Sequence, residues 1–116
     1  VRIRNRGLFA SGNATVSSAY VPLLERIGQA LNAERGTVEV DGYTDNQPIR
    51  TVRFPSNYQL STARAEAAAA VITRAMNEPG RVTAKGYADA DPVSSNDTPE
   101  GRDDNRRIEV ILRRQG

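Results

Sequence analysis

Four segments of the chain alternate between apolar and polar residues with a period of two, the pattern of strands that bury one face. The clearest covers residues 37–42, where Val38 and Val40 point inward and Gly42 ends the run. The other three predicted strands cover residues 1–6, 81–86 and 106–113. The inward-facing residues expected there are Val1, Ile3, Val82, Ala84, Ile108, Val110 and Leu112. The residues expected to be exposed on the other side of the last strand are Arg107, Glu109 and Ile111.

Helical signals separate these strands. The first helix is expected to begin at Ser17 or Ser18, either of which could cap it. The second is expected to begin at Ser56, because Ser56 and Gln59 have the S-x-x-Q spacing of a capping box. A short third helix is predicted after residues 98–100, where a capping threonine precedes a proline and an acid. The residues expected to face the core are Val21, Leu24, Ile27 and Leu31 in the first helix, and Leu60, Ala63, Ala67, Val71 and Ala75 in the second.

The order of these elements, β-α-β-α-β-(short α)-β, predicts an α+β fold with helices packed on one face of a sheet. A chain of 116 residues suits a single domain, residues 1–116, with one core. No apolar run is long enough to span a bilayer, so we expect membrane attachment only through a segment outside this chain. A long loop is predicted at about residues 45–55, and loops of this length are usually functional or mobile.

Composition argues against several classes of function. The chain has no Cys and no His, which excludes thiolate metal sites and removes the usual general base. Its 16 Lys and Arg residues outnumber its 14 Asp and Glu residues only slightly, and few aromatics are available to stack on bases. The spacing of Asp41, Asp45, Asp89 and Asp91 is not that of a metal loop. We therefore expect neither an enzyme nor a nucleic-acid-binding protein, and no metal or cofactor.

Two opposite charges flank the long loop. Asp45 follows a predicted strand, and Arg64 lies 19 residues later, inside the second predicted helix. An acid and a guanidinium that converge on one cleft can bind a small zwitterion, the acid holding its ammonium and the arginine its carboxylate. A simple salt bridge between the loop and the helix explains the same charge pattern, and charge alone favours that interpretation.

Four segments together resemble the OmpA-like peptidoglycan-binding domain, in the order found in that family. They are GYTDN, FPSNYQLSTARA, GYADADPV and NDTPEGRDDNRRIEV, and the resemblance covers about residues 8–112. It implies a two-layer sandwich, with a mixed four-stranded sheet and helices packed on one face. It also implies a periplasmic domain of a protein anchored in the inner membrane. The loop between TDN and FPSN is most similar to that of TssL-type proteins of the type VI secretion system.

The resemblance implies a ligand and the residues that hold it. The ligand is the stem peptide of peptidoglycan, bound through its diaminopimelate residue, which ends in an amine and a carboxylate on the same carbon. Asp45 matches the aspartate that holds the ammonium, and Arg64 matches the arginine that holds the carboxylate. The other positions that match the family's ligand site are Thr44, Asn57, Leu60 and Arg106. The implied partners are the cell wall and other subunits of an envelope secretion complex.

Several alternatives remain open at this stage. The flagellar stator protein MotB has a similar domain, and an OmpA-like module that only binds other proteins is also compatible with the sequence. Many family members have an acidic residue near the ligand shortly after this phenylalanine, whereas here Phe9 is followed by Ala10, Ser11 and Gly12. Any ligand contact there must come from backbone amides or from Ser11. Asp103 and Asp104 are expected on the exposed surface of the short third helix.

Overall fold

The computed structural model describes residues 1–10, 12–48 and 54–114, and within them the chain forms four strands and three α-helices. The strands are β1 (Arg2–Arg4), β2 (Thr37–Tyr43), β3 (Val82–Gly86) and β4 (Arg107–Arg113). The helices are α1 (Val21–Leu31), α2 (Asn57–Arg74) and α3 (Pro99–Asn105). The strands form one sheet in the order β1-β4-β2-β3. The β2–β3 pair is parallel and the other two pairs are antiparallel, so the predicted mixed sheet in an α+β fold is confirmed.

The core lies between the sheet and the helices α1 and α2. Val38, Val40, Ile108 and Val110 are buried on the sheet side, as predicted, and Leu24 and Leu31 are buried on α1. The strand prediction was wrong for Val1, which is 73% exposed because β1 extends over only three residues. Among the described residues, no helix combines the length and the apolar content that crossing a membrane would need.

The buried face of α2 differs from the predicted stripe. Leu60 and Val71 are buried as expected, whereas Ala63, Ala67 and Ala75 are only partly buried. The centre of the buried face lies along Ser61, Ala65, Ala68 and Ile72. The helix approaches the sheet at Gly42, where an added Cβ would lie 2.3 Å from the Ser61 carbonyl oxygen. The side chains of an alanine-rich helix differ too little in size for its sequence to reveal which face packs against the sheet.

The helix starts agree with the sequence at two positions and differ at a third. Ser56 caps α2 by accepting a hydrogen bond from the Gln59 amide at 3.3 Å. Thr98 caps α3 in the same way through the Gly101 amide at 3.0 Å. The prediction that Ser17 or Ser18 caps α1 was wrong, because the chain enters α1 through a 3-10 turn at Ser18–Tyr20 without a side-chain cap.

The open face of the sheet contains the largest deviation from the strand prediction. Arg107 was expected to be exposed, but its side chain is only 2% exposed. Its guanidinium stacks over the Tyr43 ring at 3.8 Å and donates to the carbonyl oxygens of Asn105 and Asp91. The segment that follows β3 covers this end of the open face, so the alternation of side chains was correct but the exposure was not.

Candidate functional site

A cleft of about 990 Å³ opens where β2 ends, next to the N-terminus of α2. Its walls also include the end of β1 and the helix α3. All six residues that the sequence assigned to a ligand site line this one cleft: Thr44, Asp45, Asn57, Leu60, Arg64 and Arg106. Part of the long loop, including Arg50 and Arg53, lies outside the described residues.

Asp45 is held rigidly at the end of β2. The preceding residue is fixed by a bond from the Thr44 amide to the Ala88 carbonyl oxygen at 2.8 Å. The Asp45 side chain is buried, and its Oδ1 accepts from the Gln47 amide at 2.9 Å. Its Oδ2 forms an ion pair with Arg106. The carboxylate is therefore oriented by the backbone, with one oxygen bound to a cation from another element.

Arg64 lies at the end of the second turn of α2 and is only 6% exposed. Its Nε donates to the Asn13 carbonyl oxygen at 2.7 Å, and a terminal nitrogen donates to the Ala10 carbonyl oxygen at 3.2 Å. The guanidinium also lies 5.0 Å from the centre of the Phe9 ring. Burial, and then the charge of Arg106, lower the pKa of Arg64 to about 10, so the group remains charged at neutral pH.

The simple salt bridge between the loop and the helix is not formed. Asp45 pairs with Arg106, and Arg64 has only neutral carbonyl partners and an aromatic ring among the described residues. Ala10, at the start of the stretch that departs from the family after Phe9, and Asn13, just beyond it, supply carbonyl oxygens to Arg64. Ser11 lies outside the described residues. A buried cation with neutral partners is typical of an anion-binding position, because burial without a counter-charge is costly.

Arg106 connects two elements of the cleft. One terminal nitrogen pairs with Asp45, and the other lies 3.5 Å from Asp103 of α3. Asp104, the neighbouring acid, pairs with Arg4 at 2.7 Å. Both acids line the cleft, so the expectation that they merely decorate an exposed helix was wrong. For Asp103 the spacing to Arg106 was the signal, since residues three apart at a helix end can form ion pairs.

Two further residues of the wall belong to the start of α2. The Asn57 side-chain amide donates to the Gln47 carbonyl oxygen at 2.9 Å and ties the helix start to the segment after Asp45. Leu60 is buried and contributes an apolar surface. An α-helix N-terminus carries a partial positive charge, which adds to the charge of Arg64 in attracting an anionic group.

A second group of ionisable residues occupies the open face of the sheet, and none of its members lines the cleft. Asp41 is 2% exposed and lies directly opposite Glu109 on β4, with Lys85 beside it on β3. The pKa of Asp41 is raised to about 7, mainly because its carboxyl group is buried. A hydrogen bond with Glu39 and repulsion from the charges of Glu39 and Glu109 raise it further. In the described part of the chain, no three His, Cys, Asp or Glu side chains are arranged so that they could hold a metal ion together.

The matches to known proteins agree on one family. Residues 8–106 match the model of the OmpA family. The solved structure of the cell wall anchor of the T6SS from Pseudomonas aeruginosa superposes with a TM-score of 0.91 at 44% identity, covering 98% of this chain and 80% of that one. The structure of a putative MotB-like protein from Desulfovibrio vulgaris superposes with a TM-score of 0.89 at 28% identity, covering 98% and 74%.

Sequence relatives extend the same comparison. Motility protein B of Bacillus subtilis (strain 168) is 38% identical over the whole of this chain, which spans 45% of that protein. Peptidoglycan-binding protein ArfA of Mycobacterium tuberculosis (strain ATCC 25618 / H37Rv) is 30% identical over 90% of this chain and 31% of its own length. This chain thus spans less than half of these curated relatives. On the strength of the family match, this chain belongs to the OmpA family.

Proposed function

We propose that this domain binds peptidoglycan non-covalently, by holding the zwitterionic end of diaminopimelate between Asp45 and Arg64. One observation carries the proposal: Arg64 is buried beside the cleft and, among the described residues, its polar partners are neutral carbonyl oxygens, while the carboxylate of Asp45 lines the same cleft. The two charges are not neutralised by each other. A ligand with an ammonium and a carboxylate on one carbon is complementary to both.

The contacts available in the cleft fit that ligand. Within the part of the chain that the structure describes, Arg64 uses Nε and one terminal nitrogen for carbonyl oxygens, and its other terminal nitrogen can donate to a carboxylate. The N-terminus of α2 favours the same anionic group. A charge-assisted hydrogen bond contributes about 1.5–3 kcal/mol net. The affinity of one site is therefore expected to be modest, because the ammonium has to compete with Arg106 for Asp45.

The comparisons support a role as a wall anchor of an envelope machine. Membership of the OmpA family makes the domain a binding module rather than an enzyme. The similarity to the cell wall anchor of the T6SS favours anchoring a type VI secretion complex in the periplasm, with other subunits of that complex as partners. The similarity to Motility protein B supports a flagellar stator anchor as the second candidate.

Calorimetry with a purified stem peptide tests the proposal. The parent domain is expected to bind a diaminopimelate-containing peptide, and Asp45→Asn and Arg64→Ala should each weaken binding by about tenfold or more. Arg74→Ala is the matched control, because Arg74 is an exposed arginine in the last turn of the same helix. Circular dichroism establishes that each variant is folded.

Two results would contradict the proposal. If a folded parent domain binds no peptide, the alternative of a protein-interaction module is favoured, and co-purification with envelope subunits becomes the next measurement. If Arg64→Ala binds as tightly as Arg74→Ala, the peptide is bound elsewhere and the two-charge clamp is wrong.

A further inference from the structure

We infer that Asp103 is a positioning residue for ligand binding, which receives Arg106 when the ligand's ammonium displaces that arginine from Asp45. The inference rests on the proposed function, since it concerns the same cleft. It assigns a role to a residue of α3 that does not need to touch the ligand. It also makes Arg106 a competitor of the ligand rather than one of its contacts.

The first step concerns the oxygen that the ligand would use. Oδ1 of Asp45 accepts from the Gln47 amide, and Oδ2 is paired with Arg106. An ammonium that reaches this carboxylate from the cleft therefore competes directly with the Arg106 guanidinium. Arg106 occupies the position of the ligand's cation in the free domain.

The second step identifies which partner moves. The Asp45 side chain is 8% exposed, whereas that of Arg106 is 38% exposed. The Arg106 backbone is fixed by two hydrogen bonds. Its N–H donates to the Arg102 carbonyl oxygen, and its carbonyl oxygen accepts from the Asn5 N–H. Only the long side chain of Arg106 is free to swing, and its rotamers are accessible at low cost.

The third step identifies where the displaced guanidinium goes. Asp103 already lies 3.5 Å from the second terminal nitrogen of Arg106, and it has no other polar partner among the described residues. Asp104 is not equivalent, because it pairs with Arg4 and also accepts from the Ser94 hydroxyl at 3.0 Å. A short swing exchanges one ion pair for another, so Arg106 need not lose its counter-charge when the ligand binds.

Two stem peptides distinguish this exchange from direct contact. One contains diaminopimelate, and the other contains lysine, which keeps the ammonium but lacks the adjacent carboxylate. If Arg106 competes with the ammonium, Arg106→Ala should raise the affinity for both peptides by the same factor, about three- to tenfold. Arg106→Gln should act in the same direction and serves as a second variant if the alanine variant folds poorly.

The role of Asp103 is tested by a double-mutant cycle. Asp103→Asn should weaken binding of both peptides, since Arg106 then has no second acid to move to. In the Arg106→Ala background the same change should have no effect, which a purely structural role of Asp103 would not predict. Asp97→Asn is the matched control, because Asp97 is an exposed acid near the start of α3 that does not line the cleft.

Contrary outcomes are distinct from one another. If Arg106→Ala weakens diaminopimelate binding and leaves lysine binding unchanged, Arg106 contacts the ligand carboxylate and the inference is wrong. Unchanged affinity for both peptides also overturns it, as do additive effects of the Asp103 and Arg106 substitutions. If neither the parent nor Arg106→Ala binds either peptide, the proposed function itself fails, and the inference fails with it.

Discussion

At the scale of the residue, the properties of several side chains are set by neighbours that are distant in sequence. Asp41 is the clearest example, because a single aspartate on a strand would be expected to be charged at neutral pH. It faces the acids Glu39 and Glu109 as well as the cation Lys85, and one of its oxygens has no hydrogen-bond partner among the described residues. The pKa of Glu39, in contrast, is lowered, because hydrogen bonds from Asp41 and Lys85 outweigh the effect of its burial.

This arrangement predicts that the stability of the domain depends on the charge of Asp41. Its folded-state pKa of about 7 lies above the unfolded value of 3.8, so the folded protein binds the proton more tightly. The stability that protonated Asp41 contributes to the folded state is fully present below pH 4 and is lost as the pH rises through 7. Asp41→Asn should therefore be more stable relative to the parent at pH 8 than at pH 4, by up to about 4 kcal/mol.

Urea denaturation of both proteins at the two pH values measures this difference. Asp89→Asn serves as the control, because Asp89 is an exposed acid outside the cluster. A stability difference that does not change between pH 4 and pH 8 would show that folding does not raise the pKa of Asp41.

At the scale of the element, the position of α2 on the sheet determines the geometry of the site. Asn57, Leu60 and Arg64 reach the cleft only because α2 lies close against β2 and β3. Glycines allow this approach, since an added Cβ at Gly42 or Gly86 would lie 2.2–2.3 Å from atoms of Ser61 or Thr62. The same packing places the buried stripe of α2 along Ala65 and Ala68 rather than along the predicted positions.

Gly42→Ala is predicted to destabilise the domain by about 1–3 kcal/mol, the usual range for overpacking. The new methyl group would lie against the Ser61 carbonyl oxygen of α2 and force the helix away from β2. Gly80→Ala is the matched control, since nothing lies within 4 Å of a Cβ at that position and its φ is not positive. Thermal unfolding compares the two, and equal melting temperatures would contradict the proposed close contact.

At the scale of the whole molecule, the proposed ligand repeats along a polymer, and the cleft that would bind it has a modest expected affinity. In our proposal, Arg106 competes with the ligand for Asp45 at each site. Two linked domains on one polymer would convert the second binding event into an intramolecular one. The wall attachment of a multi-subunit machine would then depend on the number of domains as well as on each site.

A tandem of two domains joined by a flexible Gly/Ser linker tests this view. It is expected to bind isolated cell walls about 100-fold more tightly than one domain, the lower end of the range for avidity. Arg64→Ala in one of the two copies should reduce binding to the level of a single domain. Sedimentation with cell walls measures the bound fraction, and equal binding of the tandem and the single domain would argue against avidity.

The sequence by itself determined the type and order of the elements and the main members of the candidate site. These depend on signals that act over a few residues, such as the alternation at Val38 and Val40, the cap at Ser56 and the motifs around Asp45 and Arg64. The tertiary structure alone decided which charges meet. Asp45 pairs with Arg106, which is 61 residues away, and Arg64 bonds to the Asn13 carbonyl oxygen, 51 residues away.

The contact of Asp103 with Arg106 joins residues only three apart, so its spacing was visible in the sequence. The burial of Arg107 and the pairs between distant residues were not visible there. Such pairings depend on the order of strands in the sheet and on how closely α2 approaches it. Neither quantity is encoded in any short segment, because each is the outcome of packing the whole core at once.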